Sequence, residues 1–306
     1  MREIFLPSTD GVNYLHVVIW EPDVPVTAVV QISHGMIEYV RRYDQFAKYL
    51  NSFGILVLGN DHLGHGETVK NDDDFGYFCK RNMSETVVED LYKVTLMAKK
   101  YYPDVPYFLL GHSMGSFMAR RYIMTYGDVL DGAIISGTGS QQRYVLNAAK
   151  VLASLSQTFK GDRYRSKMLR KLFFSKNNNR ISNPRTENDW LTKDETIVDQ
   201  YNADKFCTFS FTVNGYRTVL DVLTFIQNPK NIDKIPKKLP ILFIAGEEDP
   251  VGNYGKAVKF VYQTYVHAGI QDVSIKLYEN DRHELLNETD KEIVYADLKN
   301  WLICHI

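Results

Sequence analysis

Short apolar runs alternate with helix-like patterns through the first 137 residues. The runs long enough for buried strands are 15–20, 28–32, 55–59, 107–110 and 132–136. The intervening stretches with apolar residues at three- and four-residue spacing are 43–50, 84–101 and the segment that starts at 114. The second of these helices is predicted to begin with Ser84 as its N-cap. Strands that alternate with helices in this way predict a mostly parallel, twisted sheet with helices on both faces.

The alternation stops near residue 137 and resumes near residue 240. Between these points the pattern is helical or polar, with amphipathic helices predicted at 141–159 and 214–226. The later elements are predicted as strand 241–245, helix 254–267, strand 273–277 and helix 290–301. We therefore predict one α/β core formed by residues 1–137 and 236–306, with residues 138–235 inserted as a helical cap.

Composition and charge narrow the class of protein. The 306 residues are 44% hydrophobic and 24% charged, as in an ordinary globular protein. The net charge of −1 favours no polyanionic partner, so we expect no nucleic-acid binding. The three cysteines form no Cys-x-x-Cys pair, which is typical of reduced thiols. No signal-peptide core or membrane-spanning run is evident, so a cytoplasmic location is expected.

The sequence GHSMG at residues 111–115 lies between a predicted strand and a predicted helix. Gly-x-Ser-x-Gly in that setting is typical of a nucleophile elbow, where the serine stands on a sharp turn and needs very small neighbours. Gly111 and Gly115 meet that need. The alternative is an ordinary glycine-rich turn with a chance serine. We predict that Ser113 is a nucleophile.

A serine nucleophile needs a base, and the base needs an acid to orient it. Asp249 and His283 follow the last two predicted strands in the order Ser, Asp, His. Because the carboxyl ends of parallel strands share one edge, these side chains are expected to meet there. Glu247 and Glu248 are rivals for the acid, although the proline after Asp249 would stiffen its turn. The histidines in less suitable positions are His16, His34, His62, His65, His267 and His305.

Hydrolysis through a serine also requires two backbone N–H groups that stabilise the oxyanion. One is predicted to be that of Met114, directly after the nucleophile. The second is expected in the loop after strand 28–32, where the N–H of Met36 is the candidate. The alternative for this loop is a simple turn at the end of a strand.

Several motifs together resemble one known family. They are HGMIEYVRRYDQFAKYL (34–50), NDHLGHG (60–66), GHSMGS (111–116), DKFCTFSFTVNGY (204–216) and GEEDPVG (246–252). They look like the monoacylglycerol lipase and lysophospholipase-like branch of the α/β-hydrolases, in particular its bacterial members. The resemblance implies the α/β-hydrolase fold, a Ser113–His283–Asp249 triad, and oxyanion donors at Met36 and Met114.

The expected reaction is hydrolysis of carboxylic esters with medium or long acyl chains, with no metal or cofactor. A short-chain carboxylesterase and a thioesterase remain alternatives. A proline-type aminopeptidase is disfavoured because its elbow is typically Gly-Gly-Ser-Trp-Gly, whereas this chain has His112 and Met114. A non-catalytic binding protein of the same fold is a more remote alternative.

Two features of the predicted cap bear on the substrate. Its phenylalanines form either a passage for an acyl chain or the cap's own core: Phe173, Phe174, Phe206, Phe209 and Phe211. Residues 160–185 carry nine basic side chains against one acid. This stretch is either a solvated face or a surface that makes transient contact with anionic lipid.

Overall fold

A single eight-stranded sheet forms the centre of the molecule in the computed structural model, which describes residues 1–306. The strands are β1 Arg2–Pro7, β2 Tyr14–Trp20, β3 Ala28–Ser33, β4 Ile55–Asn60, β5 Tyr107–His112, β6 Gly132–Ser136, β7 Ile241–Gly246 and β8 Val273–Tyr278. Their order across the sheet is β1-β2-β4-β3-β5-β6-β7-β8. β2 pairs antiparallel with β1 and β4, and all other pairs are parallel.

Ten α-helices accompany the sheet. They are α1 Asp44–Asn51, α2 Met83–Tyr101, α3 Met114–Tyr126, α4 Arg143–Lys160, α5 Lys167–Phe174, α6 Glu195–Ala203, α7 Val213–Ile226, α8 Pro229–Ile232, α9 Lys256–His267 and α10 Lys291–Ile303. The pleat of β5 shows how the faces are covered. Tyr107 and Leu109 join the apolar core under α2, α3 and α9. Phe108 and Leu110 join the core under α1 and α10. The predicted mostly parallel sheet with helices on both faces is confirmed.

Three local predictions were wrong or incomplete. Strand β1 was not predicted, because this short edge strand is only partly buried and ends at Pro7. Helix α2 begins at Met83 rather than with Ser84 as its cap, and the Ser84 hydroxyl donates to its neighbour Glu85. Helix α9 begins two residues later than predicted. Residues 253–255 all have left-handed backbone angles, which no helix accommodates.

Between β6 and β7 the chain forms helices α4 to α8 and no strand. Helix α7 packs against both α3 and α4, so this segment is attached beside the helix that follows β5. Helices α5, α6 and α8 were not predicted individually. None of the helices is both long enough and apolar enough to cross a lipid bilayer.

Candidate active site

Ser113 lies at the tight turn between β5 and α3. Its backbone angles, φ 54° and ψ −120°, fall in a region that non-glycine residues rarely adopt. A Cβ atom on Gly115 would overlap the backbone oxygen of Ser33, and one on Gly111 would overlap the backbone of Gly115. Only glycine at these two positions lets the turn pass this close to β3. The strained turn exposes the serine hydroxyl to the cavity described below.

The structure brings Ser113, His283 and Asp249 together. His283 Nε2 lies 2.7 Å from Ser113 Oγ, and His283 Nδ1 lies 2.9 Å from Asp249 Oδ1. Asp249 is fully buried, and its Oδ1 also accepts the N–H of Val251 at 2.8 Å. A carboxylate oxygen can only accept a hydrogen bond. The proton of neutral His283 therefore lies on Nδ1, which donates to Asp249. Nε2 is then free to accept a proton from the serine.

Electrostatics around His283 raise the pKa of its imidazole. Burial lowers the pKa of its imidazole, but the charge and hydrogen bond of Asp249, with two nearby glutamates, outweigh burial. The pKa therefore lies above its usual value of 6.5. The neighbouring His112 ring lies 4.8 Å away, and burial, assisted by the charge of His283, lowers its pKa to about 3. His112 is therefore neutral and packs beside the His283 ring.

Two backbone N–H groups remain free beside Ser113. The N–H groups of Met36 and Met114 make no hydrogen bond within the protein, and both residues line the same cavity as Ser113. The first lies in the loop after β3, and the second is the first residue of α3. In that position the helix dipole adds to the attraction for a developing negative charge.

A cavity of about 900 Å³ opens at Ser113 and extends under helices α4, α5 and α7. Its apolar lining comes largely from the segment between β6 and β7: Val145, Leu146, Ala149, Leu172, Phe173, Phe174, Phe209, Val219, Leu220 and Leu223. Phe206 and Phe211 do not line it. Phe206 packs on Tyr39 and Phe75, while Phe211 is buried against Phe78 and Tyr216. The volume lies within the usual range for small-molecule sites.

A family model described as "Hydrolase_4: Serine aminopeptidase, S33" matches residues 24–290. The chain belongs to this α/β-hydrolase family. It is similar to a monoglyceride lipase homolog of monkeypox virus, 27% identical, covering 95% of this chain and 94% of that one. It is also similar to the monoacylglycerol lipase of Mycolicibacterium smegmatis, 26% identical, covering 98% and 97%.

Among solved structures, this hydrolase is similar to a highly thermostable carboxyl esterase from Bacillus coagulans in complex with glycerol. The TM-score is 0.92 and the identity 30%, covering 98% of this chain and 97% of that one. These likenesses confirm the predicted α/β-hydrolase fold and the resemblance to the monoacylglycerol lipase branch.

Near Ser113, His283 and Asp249, this hydrolase contains a buried ion-pair network that was not predicted from the sequence. Arg42 donates to both oxygens of Glu284 at 2.7 Å and to Glu38 at 3.0 Å. Glu284 follows His283, and Glu38 accepts the N–H of Gly35 in the Met36 loop. The network therefore joins the loop that carries the Met36 N–H group to the loop that carries His283.

The segment between β6 and β7 also contacts these loops. The Tyr201 hydroxyl donates to the backbone oxygen of Ile37 at 2.8 Å, and its ring lies 5.0 Å from the Arg42 guanidinium. The Trp190 ring lies 4.9 Å from the His283 ring. The backbone carbonyl of Trp190 accepts the backbone N–H of His283 at 3.4 Å. The backbone carbonyl of Leu191 accepts the backbone N–H of Glu284 at 2.7 Å.

Burial separates the candidate acids. Asp249 is fully buried, whereas Glu247 and Glu248 are exposed, so neither glutamate reaches the histidine. Arg42 and Glu38 had a detectable signal, an arginine four residues after a glutamate within one motif. Trp190 and Tyr201 had none, because only the folded segment places them on loops that are distant in sequence.

Proposed function

We propose that this protein hydrolyses carboxylic esters through an acyl-enzyme, with Ser113 as nucleophile. His283 Nε2 takes the hydroxyl proton while Ser113 Oγ attacks the ester carbonyl carbon. Asp249 holds the imidazole in the correct tautomer and stabilises its charged form. The observation that carries the proposal is the continuous hydrogen-bonded path from Asp249 through His283 to Ser113.

The tetrahedral intermediate places its negative oxygen on the N–H groups of Met36 and Met114, worth about 3 kcal/mol for each donor. As the intermediate collapses, protonated His283 gives its proton to the leaving alcohol. Water activated by the same histidine then releases the acid. Ser113→Ala is expected to abolish ester hydrolysis while the protein remains folded. More than a few per cent of the wild-type rate would place the nucleophile elsewhere.

We propose a medium or long acyl chain, held in the apolar part of the cavity under α4, α5 and α7. Each methylene removed from water stabilises binding by about 0.8 kcal/mol. Over a series of p-nitrophenyl esters, kcat/KM should therefore rise about fourfold per methylene until the cavity is filled. A maximum at the acetate or butyrate ester would instead favour a short-chain carboxylesterase.

A monoacylglycerol is the substrate class that relatives support best. Two similar proteins bear the names monoglyceride and monoacylglycerol lipase, and a similar esterase was solved with glycerol. Lysophospholipid is a second candidate, because Lys167 and Lys171 line the cavity and pair with no carboxylate. The kcat/KM values for a monoacylglycerol and a lysophosphatidylglycerol with the same acyl chain, measured under identical conditions, distinguish the two candidates.

An aminopeptidase activity is disfavoured by the charges of the cavity. Such an enzyme needs a free carboxylate to hold the α-ammonium group of its substrate. The acidic residues that line the cavity are Glu38, Glu187 and Glu284. Glu187 pairs with Arg170, and Glu38 and Glu284 share Arg42. We expect no release of p-nitroaniline from aminoacyl p-nitroanilides, and hydrolysis of them at rates comparable to those of esters would contradict this assignment.

We propose that residues 138–235 act as the cap and make transient contact with lipid surfaces. Exposed apolar side chains on α4 and α5 support this: Tyr144, Val151, Leu155, Phe159, Met168 and Leu172. Lys167 and Lys171 lie on the same short helix. The fraction of the protein that sediments with vesicles containing phosphatidylglycerol should exceed the fraction that sediments with vesicles of phosphatidylcholine alone. Phe159→Asp should reduce it without changing hydrolysis of a water-soluble ester.

A cytoplasmic location is also proposed. All three cysteines are free, and Cys79 and Cys207 are buried. Free thiols persist most readily in a reducing compartment. Cell fractionation with an antibody to the protein tests this location.

A further inference from the structure

Three carboxylates converge next to the His283 loop, and none of them lines the cavity at Ser113. One oxygen from each of Asp281, Glu288 and Asp290 lies within 4.8 Å of the others. We call these residues the carboxylate trio. Asp281 and Glu288 are fully buried, and the only cation in contact with them is Lys193, which donates to Asp281 Oδ1 at 2.6 Å. With all three carboxylates ionised, one ammonium leaves two negative charges without a counter-charge.

Two oxygens of the carboxylate trio are buried and have no hydrogen-bond partner. They are Asp281 Oδ2 and Asp290 Oδ1. Asp290 immediately precedes helix α10, but its side chain makes no capping hydrogen bond to that helix. Helix capping therefore does not explain its position. Buried carboxylate oxygens are normally bonded, so two orphans in one charged cluster point to a missing cation or proton.

We propose that the carboxylate trio binds a divalent hard cation, with calcium favoured over magnesium. All the candidate ligands are carboxylate oxygens, which suit these ions. Calcium bonds oxygen at about 2.3–2.6 Å, so two ligands of one ion lie at most about 5 Å apart. Magnesium, at about 2.0–2.1 Å, would require a tighter cluster. A charge of +2 balances the two negative charges that Lys193 leaves.

Both oxygens of Glu288 are already hydrogen-bonded. Glu288 Oε1 accepts the N–H of Arg282 at 2.8 Å, and its Oε2 accepts from Thr192 and Lys193 at 3.1 Å. Glu288 Oε1 accepts only this one hydrogen bond and therefore has a lone pair left for an ion. Because Asp281 lies two residues before His283, bound calcium would stabilise the loop of the base. It would take no part in proton transfer.

The rival explanation is a proton shared between Asp281 and Asp290. Burial raises the pKa of Asp281, and Lys193 opposes this effect. The charge of Asp290 adds to it, as does the side-chain hydrogen bond that the two carboxyl groups form when one of them is protonated. If the two groups share a proton, the protein should not bind calcium here and its Tm should not change when calcium is added. The shared proton would also make Asp290→Asn neutral or stabilising in the absence of any ion, since the amide can donate in place of the proton.

The test is calorimetric titration of chelator-treated wild-type protein with CaCl₂ and MgCl₂ at pH 7.5, paired with thermal unfolding. We expect one calcium per chain and a rise in Tm of about 3 °C or more at saturation. Magnesium should bind more weakly. Absence of both heat and a Tm shift in wild-type protein overturns the proposal, whatever the variants do.

Asp290→Asn should remove the calcium-dependent Tm shift, and Asp281→Asn serves if the first variant does not fold. The matched control is Glu67→Gln in the cluster of Glu3, His16 and Glu67, where Arg41 already pairs with both glutamates. This control should keep the full shift. A shift that survives in the variants of the carboxylate trio would place the ion elsewhere and overturn the assignment.

Discussion

Removing Arg42 tests the network that joins the two loops of the site. Arg42→Met keeps the apolar stem but removes the guanidinium, leaving Glu38 and Glu284 buried side by side without a cation. Both carboxylates are at most 5% exposed, and Arg42 is 11% exposed at its side chain. Loss of one partner from a buried pair is costly because the remaining charge cannot be solvated.

The expected loss of stability follows from the pKa of the Glu284 carboxyl group. Burial alone would raise its pKa, but the charge and hydrogen bonds of Arg42 lower it from 4.5 to about 2. At about 1.4 kcal/mol per pKa unit, this is a stabilisation of roughly 3 kcal/mol. Because the folded-state pKa is lowered, the stabilisation is complete above pH 4.5 and is lost as the pH falls towards 2. Burial raises the pKa of Glu38, so we assign the stabilisation to Glu284 alone.

Urea unfolding at pH 7.5 should show Arg42→Met to be less stable than wild type by about 3 kcal/mol. The deficit should shrink towards pH 5, because the unpaired carboxyl group of the variant can then take up a proton. Adding Glu284→Gln should restore part of the loss. The control is Arg2→Met in the exposed pair with Glu21, which should change stability by less than about 1 kcal/mol. A deficit below about 1 kcal/mol, or one independent of pH, would refute this reasoning.

Three further predictions concern the site itself. Because the proposed mechanism needs neutral His283, whose pKa lies above 6.5, kcat/KM should fall as the pH drops through that pKa and should approach a tenfold loss per pH unit below it. A flat profile from pH 5 to 8 would exclude a histidine base. Gly115→Ala should abolish activity, because the new Cβ would collide with the Ser33 backbone; a fully active, soluble variant would contradict the packing of the elbow. Trp190→Ala should lower kcat/KM at least tenfold while Trp190→Phe retains most of it, and equal rates would show that the ring does not position His283.

Much of the architecture could be predicted because it depends on local patterns. Buried parallel strands are short apolar runs, which are easily detected. Ser113, Asp249 and His283 each follow such a strand, so all three are expected at the same edge of the sheet. The edge strand β1 escaped because partial burial leaves a weak pattern. The start of α9 was predicted two residues too early, because the residue pattern does not reveal the left-handed backbone of residues 253–255.

Contacts between distant segments could not be predicted in the same way. Arg42 and Glu284 are 242 residues apart, and no local pattern links them. The same holds for Trp190 on His283, which depends on how the segment between β6 and β7 folds back over the sheet. The unpaired oxygens of the carboxylate trio are evident only once the burial of each atom is known.

Covalent labelling tests the central claim most directly. Wild-type protein treated with a fluorophosphonate should gain the mass of one adduct, located in the tryptic peptide 101–120 at Ser113. Ser113→Ala, shown to be folded by circular dichroism, should gain none. No adduct on folded wild-type protein, or an equal adduct on Ser113→Ala, would contradict the assignment of Ser113 as the activated nucleophile.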